Sequence, residues 1–258
     1  VAQPYEEHWA DRTAHFTARG LDLLDADPGW DGFDVACGPG PTAAALAERL
    51  PDGRTLGVDF AEPMVARAQE RYGHERLSFA VDDAEHLSQS DASFGAVTCS
   101  FGLMFCYDAR AAVGHMARAL RPGGRLMLLV WGRAANVWWA PVIDLIESSA
   151  EYYVSLCPLI FFYGLPGVLG RMVTEAGLAV AHDEVMSGGM VFPSEGDAVE
   201  AAIQTGPLAG LFNNRLSGDQ QAEVRSSLGR HVARLATPAD HGIALPSEVR
   251  IVVGQKGG

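Results

Sequence analysis

Phe33-Asp34-Val35-Ala36-Cys37-Gly38-Pro39-Gly40-Pro41-Thr42-Ala43 is the stretch on which the fold turns. Its first five residues form a short apolar run broken only by Asp34. Two glycines and two prolines end that run. From Thr42 onward Ala43, Leu46, Ala47 and Leu50 recur at helical spacing. The pattern is strand, glycine-rich loop, helix.

Moving outward, the unit repeats. Thr55-Leu56-Gly57-Val58 reads as a strand ending at Asp59. Pro63 suits the first turn of the next helix, with Met64, Val65, Ala68 and Tyr72 on its buried face. Leu77 to Val81 is a third strand and Gly95 to Cys99 a fourth. A helix over 109–120 and the turn Pro122-Gly123-Gly124 lead into a fifth strand, Arg125 to Trp131. Upstream, residues 5–25 read as helix. Downstream come a helix over 167–177, a strand from Leu178 to Met186, helix over 194–236 and a last strand from Glu248 to Gly254. Strands alternating with helices across short connections imply an α/β fold: a Rossmann-like, doubly wound, mostly parallel sheet with right-handed crossovers. The late strands are expected to join it partly antiparallel, under a helical cap insertion. A single domain over 1–258 is expected, with an N-terminal helical cover (1–30), a core (31–132) and lid insertions (133–172 and 190–240).

Composition narrows the function. Apolar residues make up 48% of 258, enough for a packed core. The net charge of -13 disfavours nucleic acid and anionic membrane as partners and leaves a small organic molecule as the better fit. Cys37, Cys99, Cys106 and Cys157 form no C-x-x-C pair, and Cys37 and Cys99, at strand ends, read as buried hydrophobes of a reducing compartment. No signal pattern is visible near Val1, and the apolar stretch Leu156 to Leu169 is broken by Pro158, Gly164, Pro166 and Gly167. A cytoplasmic protein is expected; oligomeric state is not legible.

Ligands of doubly wound sheets bind beyond the carboxyl ends of the strands. Those ends carry Asp34, Asp59, Asp83 and Ser100. Gly38 and Gly40 allow close backbone approach. Asp59, about 20 residues further on, suits ribose hydroxyls. Asp83 suits an adenine amine, as an acceptor. A dinucleotide is the competing ligand, since Gly38 to Ala43 formally matches G-x-G-x-x-A. Against it, Pro39 and Pro41 remove two N–H groups a pyrophosphate needs, and Asp34 would repel phosphate while receiving an ammonium.

Together these segments resemble class I S-adenosylmethionine-dependent methyltransferases. Asp34 to Gly40 resembles their D-x-G-x-G-x-G motif, with Ala36 in the first glycine position. Gly57 to Met64 resembles the acidic motif after the second strand, and Val81 to Leu87 the G-D-A-E-x-L segment. Ala119 to Arg125 resembles the L-R-P-G-G-R turn. Ser100 to Phe105 is similar to a variant in the ubiquinone and menaquinone biosynthesis branch. The resemblance covers roughly residues 30–131.

The resemblance implies transfer of a methyl group from S-adenosylmethionine to a small-molecule acceptor at O, N or C, releasing S-adenosylhomocysteine. It places Asp34, Ala36, Gly38 and Gly40 around the methionine part. It puts Asp59 on the ribose, Phe60 and Met64 beside the adenine, and Asp83 and Ala84 on its edge. Ser100 and Phe101 approach the sulfonium with their carbonyls. Methyl transfer needs mainly alignment, so no catalytic side chain declares itself. His8 and Tyr153 are the weak candidates; of the other possible bases, His15, His86 and His115, His115 reads better as a packing or surface residue and His86 as a loop residue. The aspartates could also be plain cap or loop carboxylates. The aromatics of 133–163 could be core or an apolar substrate pocket under a lid, a setting that suggests natural-product-like acceptors. No metal set is visible. A cofactor-binding protein of another reaction and a nicotinamide-dependent oxidoreductase remain the rival readings.

Overall fold

A computed structural model describes residues 9–149, 159–204 and 206–258. Helix α1 (Asp11–Leu24) precedes β1 (Gly32–Val35), α2 (Pro41–Arg49), β2 (Thr55–Asp59), α3 (Glu62–Tyr72) and β3 (Leu77–Val81). Then come β4 (Phe94–Ser100), α4 (Ala109–Ala119) and β5 (Leu120–Trp131). The rest comprises α5 (Pro141–Ser149), α6 (Val168–Glu175), β6 (Ala179–Phe192), α7 (Glu195–Ile203), α8 (Gly206–Arg215), α9 (Gly218–Leu235), β7 (Thr237–Ala239) and β8 (Gly242–Gln255).

The sheet runs β3-β2-β1-β4-β5-β8-β6, with β7 paired to β8. The first five are parallel; β8 is antiparallel to both β5 and β6. Strand order reverses at β1, which lies between β2 and β4. That reversal opens a crevice beyond the carboxyl ends of β1 and β4. Right-handed crossovers put α2 and α3 on one face and α4 on the other once the direction changes. Helix α1 lies beside α2 and over β5, β6 and β8, while α6 flanks β6 and β8 next to α4.

The apolar periodicities explain the packing. Phe33 and Val35 are fully buried, as a strand covered on both faces requires. Ala43, Leu46 and Leu50 carry α2 onto the sheet, and Ala112, Val113, Met116, Ala119 and Leu120 do so for the α4 region. Helices α5, α7, α8 and α9 pack together as a cap.

Several boundaries differ from expectation. The helix over 194–236 is three helices, Glu195–Ile203, Gly206–Arg215 and Gly218–Leu235. Ser217 and Gln220 start α9 with a reciprocal capping box, a signal that periodicity alone misses. Strand β6 continues past Met186, the expected end, through Gly188-Gly189 to Phe192. There α1 crosses close by: a Cβ on Gly188 would lie 2.8 Å from His15 Nε2 and 2.9 Å from Phe16 Cε1. Glycine at this point marks a close approach within a strand. Strand β5 starts five residues early because Leu120 already pairs with Phe94, and the proline-glycine turn is a bulge between that pair and Ala96–Arg125.

Candidate active site

The crevice is built from four loops. At the end of β1, Asp34 has no solvent exposure. Its Oδ1 accepts a 2.6 Å hydrogen bond from Thr98 Oγ1 on neighbouring β4. Its Oδ2 is buried with no hydrogen-bond partner. Burial raises the carboxyl to about 7; the Thr98 bond lowers it, the like charge of Asp59 raises it, and the Ala43 N–H in the first turn of α2 lowers it slightly without bonding Oδ2.

Behind Asp34 the chain turns sharply. Ala36, Gly38 and Gly40 all have positive φ, at 55°, 55° and 93°. For Ala36 this is a strained conformation. A Cβ on Gly38 would meet nothing within 4 Å, so Gly38 faces open space. Gly40 differs from expectation: a Cβ there would lie 3.0 Å from Ala68, Tyr72 and Phe79 atoms. Its bareness serves packing of the loop against α3 and β3, rather than ligand approach.

Asp59 joins two loops. Its Oδ2 accepts from Gly38 N–H at 2.8 Å and its Oδ1 from Ala61 N–H at 2.9 Å. Lone pairs on both oxygens remain for a further donor. The next residue, Phe60, is 78% exposed, an aromatic face left at the rim with half-buried Met64 nearby in the sequence.

Past β3, Asp83 starts a short 3-10 turn, Ala84–His86. Its Oδ1 accepts from Glu85 N–H at 2.9 Å, and its Oδ2 lies 3.2 Å from His86 Nδ1. These contacts hold its carboxyl below the ordinary range, the Glu85 bond contributing most. Asp83 is thus a cap residue and a partly exposed acceptor at once. Glu85 reaches onward and accepts from Tyr107 N–H (2.7 Å) and Asp108 N–H (2.9 Å), tying this turn to the loop after β4.

At the end of β4, Ser100 Oγ lies 3.3 Å from Thr17 Oγ1, which brings α1 over the crevice. Phe101 has φ 56° and donates its N–H to Leu129 O at 2.8 Å. Its ring is buried on Trp131, with centroids 4.6 Å apart, so only its backbone is free to serve the crevice. Ala36 and Phe101, two non-glycine residues in the left-handed region, therefore flank the point where strand order reverses. They are coupled through Gly102, where a Cβ would fall 2.4 Å from the Ala36 Cβ. The bare Gly102 makes room for the Ala36 methyl.

Beyond Phe101 and Trp131 an aromatic layer continues under the cap. Trp139 meets Trp131 (5.5 Å), Trp9 (5.7 Å) and Phe161 (5.3 Å); Trp9 stacks on Trp138 at 6.4 Å. At its border Glu248, 4% exposed, accepts from the Arg133 N–H (2.9 Å), the Arg133 guanidinium and Asn136 Nδ2 (2.6 Å). Burial works against ionisation of Glu248, but the bonds from Arg133 and Asn136 prevail and lower its pKa.

Residues 33–124 match the family described as "Methyltransferase domain". The chain is 33% identical to the demethylmenaquinone methyltransferase of Deinococcus radiodurans over 159 residues, 56% of this chain and 66% of that one. It is 32% identical to the demethylmenaquinone methyltransferase of Thermus thermophilus over 165 residues, 58% of this chain and 75% of the relative. The chain is a class I S-adenosylmethionine-dependent methyltransferase. It falls in the branch of the quinone-biosynthesis enzymes. A structure from Bacillus halodurans C-125 has the same fold, at TM-score 0.65 and 17% identity, over 94% of this chain and 99% of that one.

In this methyltransferase Asp34, Ala36, Gly38, Gly40, Asp59, Asp83, Ser100 and Phe101 come from the ends of strands that adjoin in the sheet, as their spacing predicted. His8 and Tyr153 lie outside the described residues, as do Tyr152 and Cys157. Among the described residues, no group of three or more His, Cys, Asp or Glu could hold a metal. No helix among them is long and apolar enough to cross a membrane. Thr17 and Thr98 went unnoticed in the sequence, while Glu85 and Gly102 lie inside recognised segments but were given no role of their own. Their roles exist only through contacts between distant segments.

Proposed function

We propose that this methyltransferase holds S-adenosylmethionine in the crevice at β1 and β4 and methylates a small, partly apolar molecule at O, N or C. When bound, the cofactor supplies a methyl group already activated on a sulfonium. Asp34 receives its ammonium, directly or through water. The single observation that carries the reading is Asp34 Oδ2: a fully buried carboxylate oxygen without a partner calls for a cation or a donor. A pyrophosphate would be repelled by the same oxygen. The open side of Gly38 admits the amino-acid part, and Asp59, anchored by the Gly38 and Ala61 N–H groups, accepts from the ribose hydroxyls. Phe60 covers the adenine with Met64, while Asp83 and the Ala84 backbone hold its edge.

The remaining work is alignment in a space closed by α1 and the cap. A general base is needed only where the acceptor must lose a proton of high pKa, and His8 and Tyr153 are the candidates for that role. A cytoplasmic location and natural-product-like acceptors fit the acidic surface and the aromatic layer.

Calorimetric titration with S-adenosylhomocysteine tests the site, beside Asp59→Ala and an NAD control. One-site binding that falls at least tenfold in the variant is expected. Absence of binding to folded protein, or binding of NAD instead, refutes the assignment.

A further inference from the structure

In β4, Val97 and Cys99 are fully enclosed, and Thr98 between them has no solvent exposure either. Valine has nearly the shape of threonine and suits a strand covered on both faces better, because a buried hydroxyl is costly unless it is bonded. Burial alone does not supply the bond: Thr55, another buried strand threonine, leaves its Oγ1 without a partner. Thr98 has one. The parallel register sets it directly beside Asp34, and its Oγ1 donates to Asp34 Oδ1 at 2.6 Å. That length is typical of a hydroxyl donating to a charged oxygen.

The bond decides how the carboxylate is presented. The last torsion of an aspartate is broad and two-fold, so an untethered Asp34 could offer either oxygen, at either of two angles. Thr98 removes that freedom, and β-branching makes its own side chain stiff. Oδ1 is taken, and Oδ2 is left idle in a place without water. The same bond opposes the rise that burial imposes on the Asp34 carboxyl. We infer that Thr98 is a positioning residue for the methyl donor: by holding Oδ1 it reserves Asp34 Oδ2 for one N–H donor, and so sets the selectivity of the site for ligands that carry an α-ammonium. This rests on the cofactor site proposed above and names the residue that gives it discrimination.

Calorimetric titration with two ligands tests it: S-adenosylhomocysteine, and its deamino analogue, in which hydrogen replaces the α-amino group. The wild type is expected to prefer S-adenosylhomocysteine roughly ten- to hundredfold, the effect of one hydrogen bond to a charged group. Thr98→Val should cut that preference by roughly fivefold or more, while the deamino analogue binds as before. Thr98→Ser keeps the hydroxyl and should restore most of the preference. Circular dichroism establishes that each variant is folded; Thr98→Ala carries the same expectation and takes the place of Thr98→Val if that variant does not fold. Equal losses for both ligands would show a purely structural role, and an unchanged preference would show that Oδ2 needs no holding; either overturns the inference. Failure of the wild type to bind S-adenosylhomocysteine, or to distinguish it from the analogue, overturns the cofactor reading instead.

Discussion

Asp34→Asn separates what the buried carboxylate costs the fold from what it contributes to binding. Burial holds this carboxyl at about 7 against an ordinary value of 3.8. A carboxyl raised in the folded state stabilises fully below its unfolded value, and that contribution is lost as pH rises through the folded value. Between pH 5 and pH 8 the wild-type protein should therefore lose roughly 2–3 kcal/mol that the uncharged amide does not lose. For a chain of this size that is about 5–10 °C in melting midpoint. The Thr98 hydroxyl can still donate to the amide oxygen, so the variant keeps its local bond. Thermal unfolding of both proteins from pH 5 to 8, without ligand, measures the gap. Adding S-adenosylhomocysteine should narrow it at pH 8, because the ammonium compensates the carboxylate in the wild type only. Parallel pH profiles for the two proteins would refute the reasoning: Asp34 would then be neither desolvated nor poised for a cation.

Three further outcomes follow from contacts described above. Ala36→Gly relieves a left-handed backbone at φ 55°, a gain of about 1–2 kcal/mol that the freer unfolded chain offsets by about 0.4–1; chemical denaturation should find it slightly stabilised, with cofactor binding retained. Gly102→Ala drives a methyl to 2.4 Å from the Ala36 Cβ and should weaken S-adenosylhomocysteine binding at least tenfold, while the double variant regains most of it. Glu248→Ala leaves Arg133 and Asn136 without their shared acceptor and, since the exposed Arg133 guanidinium turns to water, should cost about 1–2 kcal/mol in denaturant unfolding at pH 7. Because the Glu248 pKa is lowered in the folded state, its contribution is present above about 4.5 and fades as pH falls through the lowered value, so wild type and variant should converge in acid.

The parallel half of the fold was legible because each strand–loop–helix unit carries local signals: an apolar run, a glycine or proline stop, then helical periodicity. The position of the crevice aspartates was legible for the same reason, since a carboxylate at the end of a strand lands at the carboxyl edge of the sheet whatever surrounds it. The rest depends on distant partners. Nothing near Gly188 announces that α1 presses on it, and nothing near Gly102 announces Ala36. Phe101 read as a residue beside the sulfonium because its place after β4 is local information. That its ring turns onto Trp131 is not. Trp138 and Trp139 read as either core or an apolar pocket lining; the absence of acceptors for their indole N–H groups appears only when their neighbours are placed.

Strand β8 enters the sheet between β5 and β6, and among the sheet strands it is the one to which β6 is bonded. During synthesis β1 to β5 can close their ladder as soon as they emerge, each beside a strand already made. Strand β6 cannot. It must wait, a long strand with both edges unpaired, while α7, α8 and α9 are translated ahead of β8. The nascent chain thus passes through a stage in which the crevice at β1 and β4 is assembled but the floor beneath the cap is not. Its histidine and acidic residues, His182, Asp183 and Glu184, are then what guards that strand against a neighbouring chain.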